Sequence, residues 1–438
     1  MAVVDSGKIV TEEQGGSATT AAGVAAVLFL GVTAGIQMSD RGLHSILSQS
    51  IKQAFGVSDG VIGALHGIAG ILIASALAVP LARLADRYSR KMVLLALIAL
   101  WGILTAVCAI SPNFPTFFIG RAASGVTEFA MISIVYSLIP DLVSERHRVT
   151  ANLVFAALMA VGASAGFYFG GNLLNLAEIY AATDFPAWRL TLLWLSFAAI
   201  PLLLVGLLIK DPPRRAITSD DGETAESFLA FLHENYRAIL LFLGTAGGLA
   251  VAVQAVIPMI AMAMEREFKV DLAQLGHALG QITLVTSLGS LLLAGVADRL
   301  LQRRFSFGSR PAIMAFGAAI AIPALIVFGL SKDDQQALTM IALFLAVTSL
   351  ANALIPTMLQ DILPAEFRAR GFAVYSFVIA AFCAVGPVLS GSISDYVTGG
   401  LLTPAIALAG VPSLAIAVIC GSLATSERRS VTGHVATA

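Results

Sequence analysis

Runs of about 20 apolar residues recur along this chain about twelve times, each long enough to cross a hydrocarbon layer roughly 30 Å thick as a helix. Nothing constrains the fold more. A soluble chain is typically about 25% charged, whereas this one is 12% charged and 58% hydrophobic over 438 residues. It could not cover its own surface with polar groups, so most of it must face lipid or other helices. The expected fold is an all-α membrane protein. A net charge of −1 removes any basic surface for nucleic acid. Cys108, Cys383 and Cys420 all lie inside apolar runs and read as small core residues, with no disulfide or metal-ligand spacing.

The runs divide the chain. Residues 1–20 read as a polar tail, 21–210 as six helices, 211–236 as a linker, 237–425 as six more helices and 426–438 as a second tail. The linker is the longest polar stretch and ends in a short amphipathic segment expected to be helical from Glu226 to Tyr236. An even number of spans puts both termini on one side. Of the 26 basic residues, only Lys52, Arg189, Arg266, Lys269 and Lys332 then fall on the other side, with Arg41 and Arg121 inside spans. That bias predicts cytoplasmic termini.

The two sets of six are related. "ARLADRYSRK" follows the second run and "AGVADRLLQRR" the eighth, placing Asp86 and Asp298 at equivalent points 212 residues apart. "DLVSERHR" and "DILPAEFR" correspond at an offset of 220, which also pairs Arg148 with Arg368, Gly166 with Gly386 and Gly171 with Gly391. Both offsets set span n against span n+6, the organisation of a duplicated transporter. "ARLADRYSRK", "RAASGVTE" and "GASAGFYFGG" resemble signatures of the major facilitator superfamily, with Phe167 where a Pro is common. The resemblance implies two six-helix bundles related by a pseudo-two-fold axis, working as a monomer with a small-molecule substrate and no cofactor.

Ionisable residues inside a span cost roughly 2.5–3.5 kcal/mol each on insertion scales, and persist where they line a wet cavity or pair with one another. Asp40, Arg41 and His44 stand in the first run, and Arg121 and Glu128 in the fourth. Asp40 and His44 share a helix face at i, i+4, and Arg121 and Glu128 share one at i, i+7. Two readings are open: a buried ion-pair network tying the first helix to the fourth, or a transport site. In the second, Glu128 carries the proton with Asp40 as its partner, because a conformational change moves Arg or water relative to them. Arg41 and Arg121 then offer fixed positive charge to an anionic substrate.

A finer resemblance, to the spinster family of sphingolipid and lysolipid transporters, rests on "SDRGLHSILSQSIKQAFGVSDGVIG", "LADRYSRK" and "RAASGVTEFAMISIVYSLIPDLVSERHR". It implies a cavity lined by Asp40, Arg41, Arg121 and Glu128. Thr127 replaces the usual Gly and Phe129 a small residue, so both border the expected substrate site, as does His44. Proton symporters of organic anions and sugar acids share these features, but usually carry Asn-Tyr before the Asp-Arg, which "QMSDR" lacks. Resemblance also implies a cytoplasmic gate of Asp86, Arg87, Arg90, Asp141, Asp298 and Arg299. In it Asp86 and Asp298 meet the starts of helices 11 and 5. In the second half the candidate polar groups are Gln254, Gln281, Asn352 and Tyr375. Enzyme chemistry has no support. "GASAG" matches G-x-S-x-G but lies within a membrane run, and no P-loop is present. The expected setting is a bacterial inner membrane.

Overall fold

The structure, a computed structural model, describes residues 21–82, 84–209, 225–305, 309–364 and 367–436. Among them are twelve helical segments long and apolar enough to cross a membrane. In the first half, spans 1 to 6 are Ala21–Phe55, Asp59–Ala78, Arg90–Ile110, Phe114–Leu142, Glu145–Tyr180 and Ala187–Leu208. In the second, spans 7 to 12 are Tyr236–Val256, Leu272–Leu293, Arg310–Gly329, Asp334–Ile362, Arg370–Tyr396 and Leu402–Ser426. The two tails, through residue 20 and from 437, and linker residues 210–224 lie outside the described residues.

Local chemistry explains most boundaries. Asn113 accepts from the Thr116 N–H at 3.0 Å and starts span 4 with Pro115 in its first turn. Asp333 caps span 10 through the Gln336 N–H at 2.8 Å. Span 7 was expected to continue to residue 263. Instead it stops at Val256, where Pro258 has no N–H to give, and a separate helix Ile260–Phe268 follows. Lys269, in the left-handed region at φ 55°, ends that helix. The expected amphipathic helix before span 7 is present at Ala225–Glu234, and Phe228 and Phe231 both pack on Phe367. The final helix was expected to stop at 424. It runs on unbroken to Ala436.

The first residues of span 1 and the last of span 12 fall at one end of the alternating spans, and the described contacts between the halves lie toward the other end, the far face. One apolar cluster crosses between them there. Leu43, Ile46, Leu47 and Ile62 of the first half share it with Met259, Met262, Leu275 and Leu279 of the second. A second cluster, around Trp101, Ile134 and Phe155, belongs to the first half alone. Close backbone approach at two glycines makes the far-face seam possible. A Cβ on Gly67 would lie 2.2 Å from the Ala384 carbonyl oxygen, joining spans 2 and 11. One on Gly171 would lie 2.1 Å from that of Leu272, joining spans 5 and 8.

Candidate functional site

The ionisable residues of spans 1 and 4 converge. Arg121 donates to Asp40 Oδ2 at 3.0 Å and to Glu128 Oε1 at 3.3 Å. Arg41 donates through Nε to Glu128 Oε2 at 3.0 Å. His44 Nδ1 lies 2.9 Å from the Asp40 carbonyl oxygen and 3.0 Å from Asp40 Oδ1. Two carboxylates and two guanidiniums thus form one alternating network. The turn-to-turn spacing of span 1 aims Asp40 and His44 at span 4, whose two-turn spacing sets Arg121 between the two acids.

Access to this network is one-sided. Asp40 and Glu128 have no exposed side-chain surface, and Arg121 has 4%. Arg41 is 32% exposed and lies 4.9 Å from the centre of the Phe129 ring. It is therefore the member that a solute can touch, with Phe129 as its apolar neighbour. His44 is buried, and Thr127, also buried, donates to the Ser124 carbonyl at 2.7 Å. Both acids are buried, and Arg41 is the partly exposed partner of Glu128.

The second half contributes the facing wall. A cavity of about 300 Å³ is lined by Gln254 of span 7, Asn352 and Pro356 of span 10, and Tyr375, Ile379 and Cys383 of span 11. Gln254, Asn352 and Tyr375 were three of the four polar candidates read from the sequence. All of its lining residues belong to the second half. The combination offers a fixed cation on one side and neutral hydrogen-bonding groups set among apolar ones on the other.

Arg90 donates to Asp141 Oδ2 at 2.6 Å, a pair within the first half, and Arg310 donates to Asp361 at 2.6 Å in the second. The pairs correspond at the 220-residue offset. Arg87 is exposed. The side chains of Asp86, Asp298 and Arg299 lie outside the described residues.

Sequence reasoning missed the ionic contacts that tie the halves together at the far face. Arg266, just beyond span 7, donates to both oxygens of Asp59, at 2.7 and 2.8 Å, and to Gln49 Oε1 at 2.9 Å. Asp59 also accepts from Lys52 at 2.5 Å and from Ser394 at 2.7 Å. Asp395 of span 11 accepts from the Asp59 and Gly60 N–H groups at 3.0 and 2.7 Å, capping span 2 from the opposite half. The available signal was an acidic residue at a helix start with unmatched cations on the same face, a pattern common to ordinary loops.

The family described as Major Facilitator Superfamily matches residues 28–258 and 245–437 of the chain. An MFS-type efflux pump of Mycolicibacterium smegmatis is 25% identical over 423 residues, covering 92% of this chain and 93% of the pump. The 3-(3-hydroxy-phenyl)propionate transporter of Escherichia coli K12 is 25% identical over 398 residues, covering 88% and 90%. A solved bacterial homolog to the human lysosomal transporter spinster, inward-facing and unoccupied, superimposes with a TM-score of 0.77 at 19% identity. That match covers 93% of this chain and 96% of the other.

Proposed function

Because this chain belongs to the major facilitator superfamily, a family of integral membrane transporters, we propose that it is a proton-coupled secondary carrier for a small amphipathic anion. A lysolipid-like molecule fits best. The observation that carries this reading is Arg41, which bonds the buried Glu128 at 3.0 Å through Nε while a third of its own side chain is exposed. An anionic group that engages Arg41 competes with Glu128 for it. Glu128, losing its partner in a dry pocket, then takes a proton. Asp40 keeps Arg121 in place. Substrate and proton are coupled because the substrate anion and the Glu128 carboxylate contend for the same guanidinium, and the carboxylate that loses it is neutralised by a proton. Gln254, Asn352 and Tyr375 hydrogen-bond the rest of the head group, and the apolar wall receives a tail.

The halves, 21–210 and 237–425, are the units that rock. The far face is the extracellular one, the termini are cytoplasmic, and the membrane is the bacterial inner membrane. With the far face shut, this conformation is open inward. Asp86, Arg87, Arg90, Asp141, Asp298 and Arg299 assemble the opposite gate when the inside shuts. One monomer contains the whole pathway. A second reading, a symporter of small carboxylates, is favoured by likeness to the hydroxyphenylpropionate transporter.

Purified protein in liposomes containing a pH-sensitive dye tests both readings. Lysophospholipid is expected to drive proton movement, and Glu128→Gln is expected to lower its rate at least a hundredfold. Proton movement with 3-(3-hydroxyphenyl)propionate and none with lysophospholipid selects the second reading. Unchanged proton movement in Glu128→Gln removes the coupling assignment.

A further inference from the structure

We propose that protons reach Asp40 and Glu128 from the far face, along a buried polar ladder between spans 1 and 2, while substrate reaches Arg41 from the opposite side. This rests on the proton-coupled reading above. Polar residues recur at every fourth position of span 1: Asp40, His44, Ser48 and Lys52. That repeat keeps them on one face, each about one 5.4 Å turn from the next. The first three are at most 2% exposed, and Lys52 emerges at the far face with 25% of its side chain exposed. Span 2 runs alongside and adds Asp59 and His66, seven residues apart and so on one face.

The rungs are specific. Lys52 Nζ meets Asp59 Oδ1 at 2.5 Å. Ser48 Oγ meets His66 Nε2 at 2.8 Å and donates to the His44 carbonyl at 2.7 Å. His44 Nδ1 meets Asp40 Oδ1 at 3.0 Å. Its other nitrogen, Nε2, is buried and has no hydrogen-bond partner among the described residues. Span 2 is a π-helix over Leu65–Ile73, so His66 sits in its first turn. Such segments are frequent at functional positions. Two buried imidazoles, with a serine bonded to one ring and to the other residue's carbonyl, are poor packing material, yet they suit stepwise proton transfer.

The step at His44 balances. A hydronium arriving from the Ser48–His66 side gives its proton to the open Nε2 and leaves as water; the imidazolium then passes its Nδ1 proton to Asp40 Oδ1, 3.0 Å away and otherwise unpartnered among the described residues. The ring is left neutral and resets by rotation. Other charged or titratable groups around the ladder are Cys108 of span 3, Arg121 and Glu128 of span 4, and Arg189 of span 6. Arg266 beyond span 7 and Asp395 of span 11 complete the set. Arg121 joins the inner end of the ladder to Glu128, and Arg266 closes its outer end. The substrate cavity lies on the other side of Arg41. The closed halves therefore admit protons where they admit no solute.

Infrared difference spectroscopy of the full chain in liposomes, with lysophospholipid present to engage Arg41, tests this. The protonated-carboxyl band is followed in time after a rapid drop in pH. The band is expected in the wild type and absent or halved in Glu128→Gln. His66→Gln, which keeps a hydrogen-bonding group beside Ser48, and Ser48→Ala are each expected to slow its appearance at least tenfold with the final amplitude unchanged. A structural role alone would alter the amplitude or leave the rate alone. Wild-type rates in both variants overturn the ladder and leave proton coupling standing. No titrating carboxyl band in the wild type overturns both.

Discussion

At the scale of the residue, Glu128 shows how a membrane interior holds charge. A lone carboxylate there would be neutralised, but Glu128 bonds two guanidiniums, and Arg121 is held in turn by Asp40. Glu265, beyond the end of span 7, is less well served. One of its carboxylate oxygens is buried without a partner, and burial raises its pKa to about 6 from an ordinary 4.5, although Arg266 opposes the shift. The folded state thus binds this proton more tightly than the unfolded one. Its contribution to stability is present below pH 4.5 and is lost as pH rises through 6. Glu265→Gln is expected to stabilise the protein above pH 6 by about 1 kcal/mol, solvent screening of this half-buried group allowed for, and to flatten that pH dependence. Thermal melting in detergent across this range checks it. Asp40, Arg41, Arg121 and Glu128 were legible in the sequence because charge inside an apolar run has few excuses. Asp59, Arg266 and His66 were not, because a polar residue near a helix end or alone on a helix face looks ordinary until its partner arrives from another span.

At the scale of the element, apolar length located every span, and caps and prolines set the ends that length could not. The break at Pro258 was hidden because the residues on both sides are equally apolar. The π-helix of span 2 leaves no mark in hydropathy at all. Gly67→Ala places a Cβ 2.2 Å from the Ala384 carbonyl, which is backbone and cannot swing aside. Spans 2 and 11 are then expected to part. Spin labels on Gln53 and Tyr396 should report a distance distribution shifted outward by several ångströms. Gly289→Ala, where nothing lies within 4 Å, should leave it unchanged.

At the scale of the whole molecule, the two halves are alike in path and unlike in chemistry. Matching pairs, Arg90–Asp141 and Arg310–Asp361, preserve the duplication, while the buried charge network lies in the first half alone. The far-face contacts join the two halves. Arg266 reaches span 1, span 2 and the Gly400 carbonyl from one side chain. Arg266→Ala is expected to favour opening of that face. The readout is alkylation of Ser45→Cys by a membrane-impermeant reagent, in a background lacking Cys108, Cys383 and Cys420. Ser45 now lies buried against the Ile257 and Pro258 carbonyls, and its labelling rate should rise at least tenfold.

The sum of the network carries a last implication. Asp40 and Glu128 offset Arg41 and Arg121, so the empty protein reorients with no net electrical charge in its centre. Moving one elementary charge against 100 mV takes about 2.3 kcal/mol, and this arrangement avoids that work. A monoanion accompanied by one proton is electrically silent as well. On the reading proposed above, the membrane potential then has nothing to pull on while the empty protein reorients.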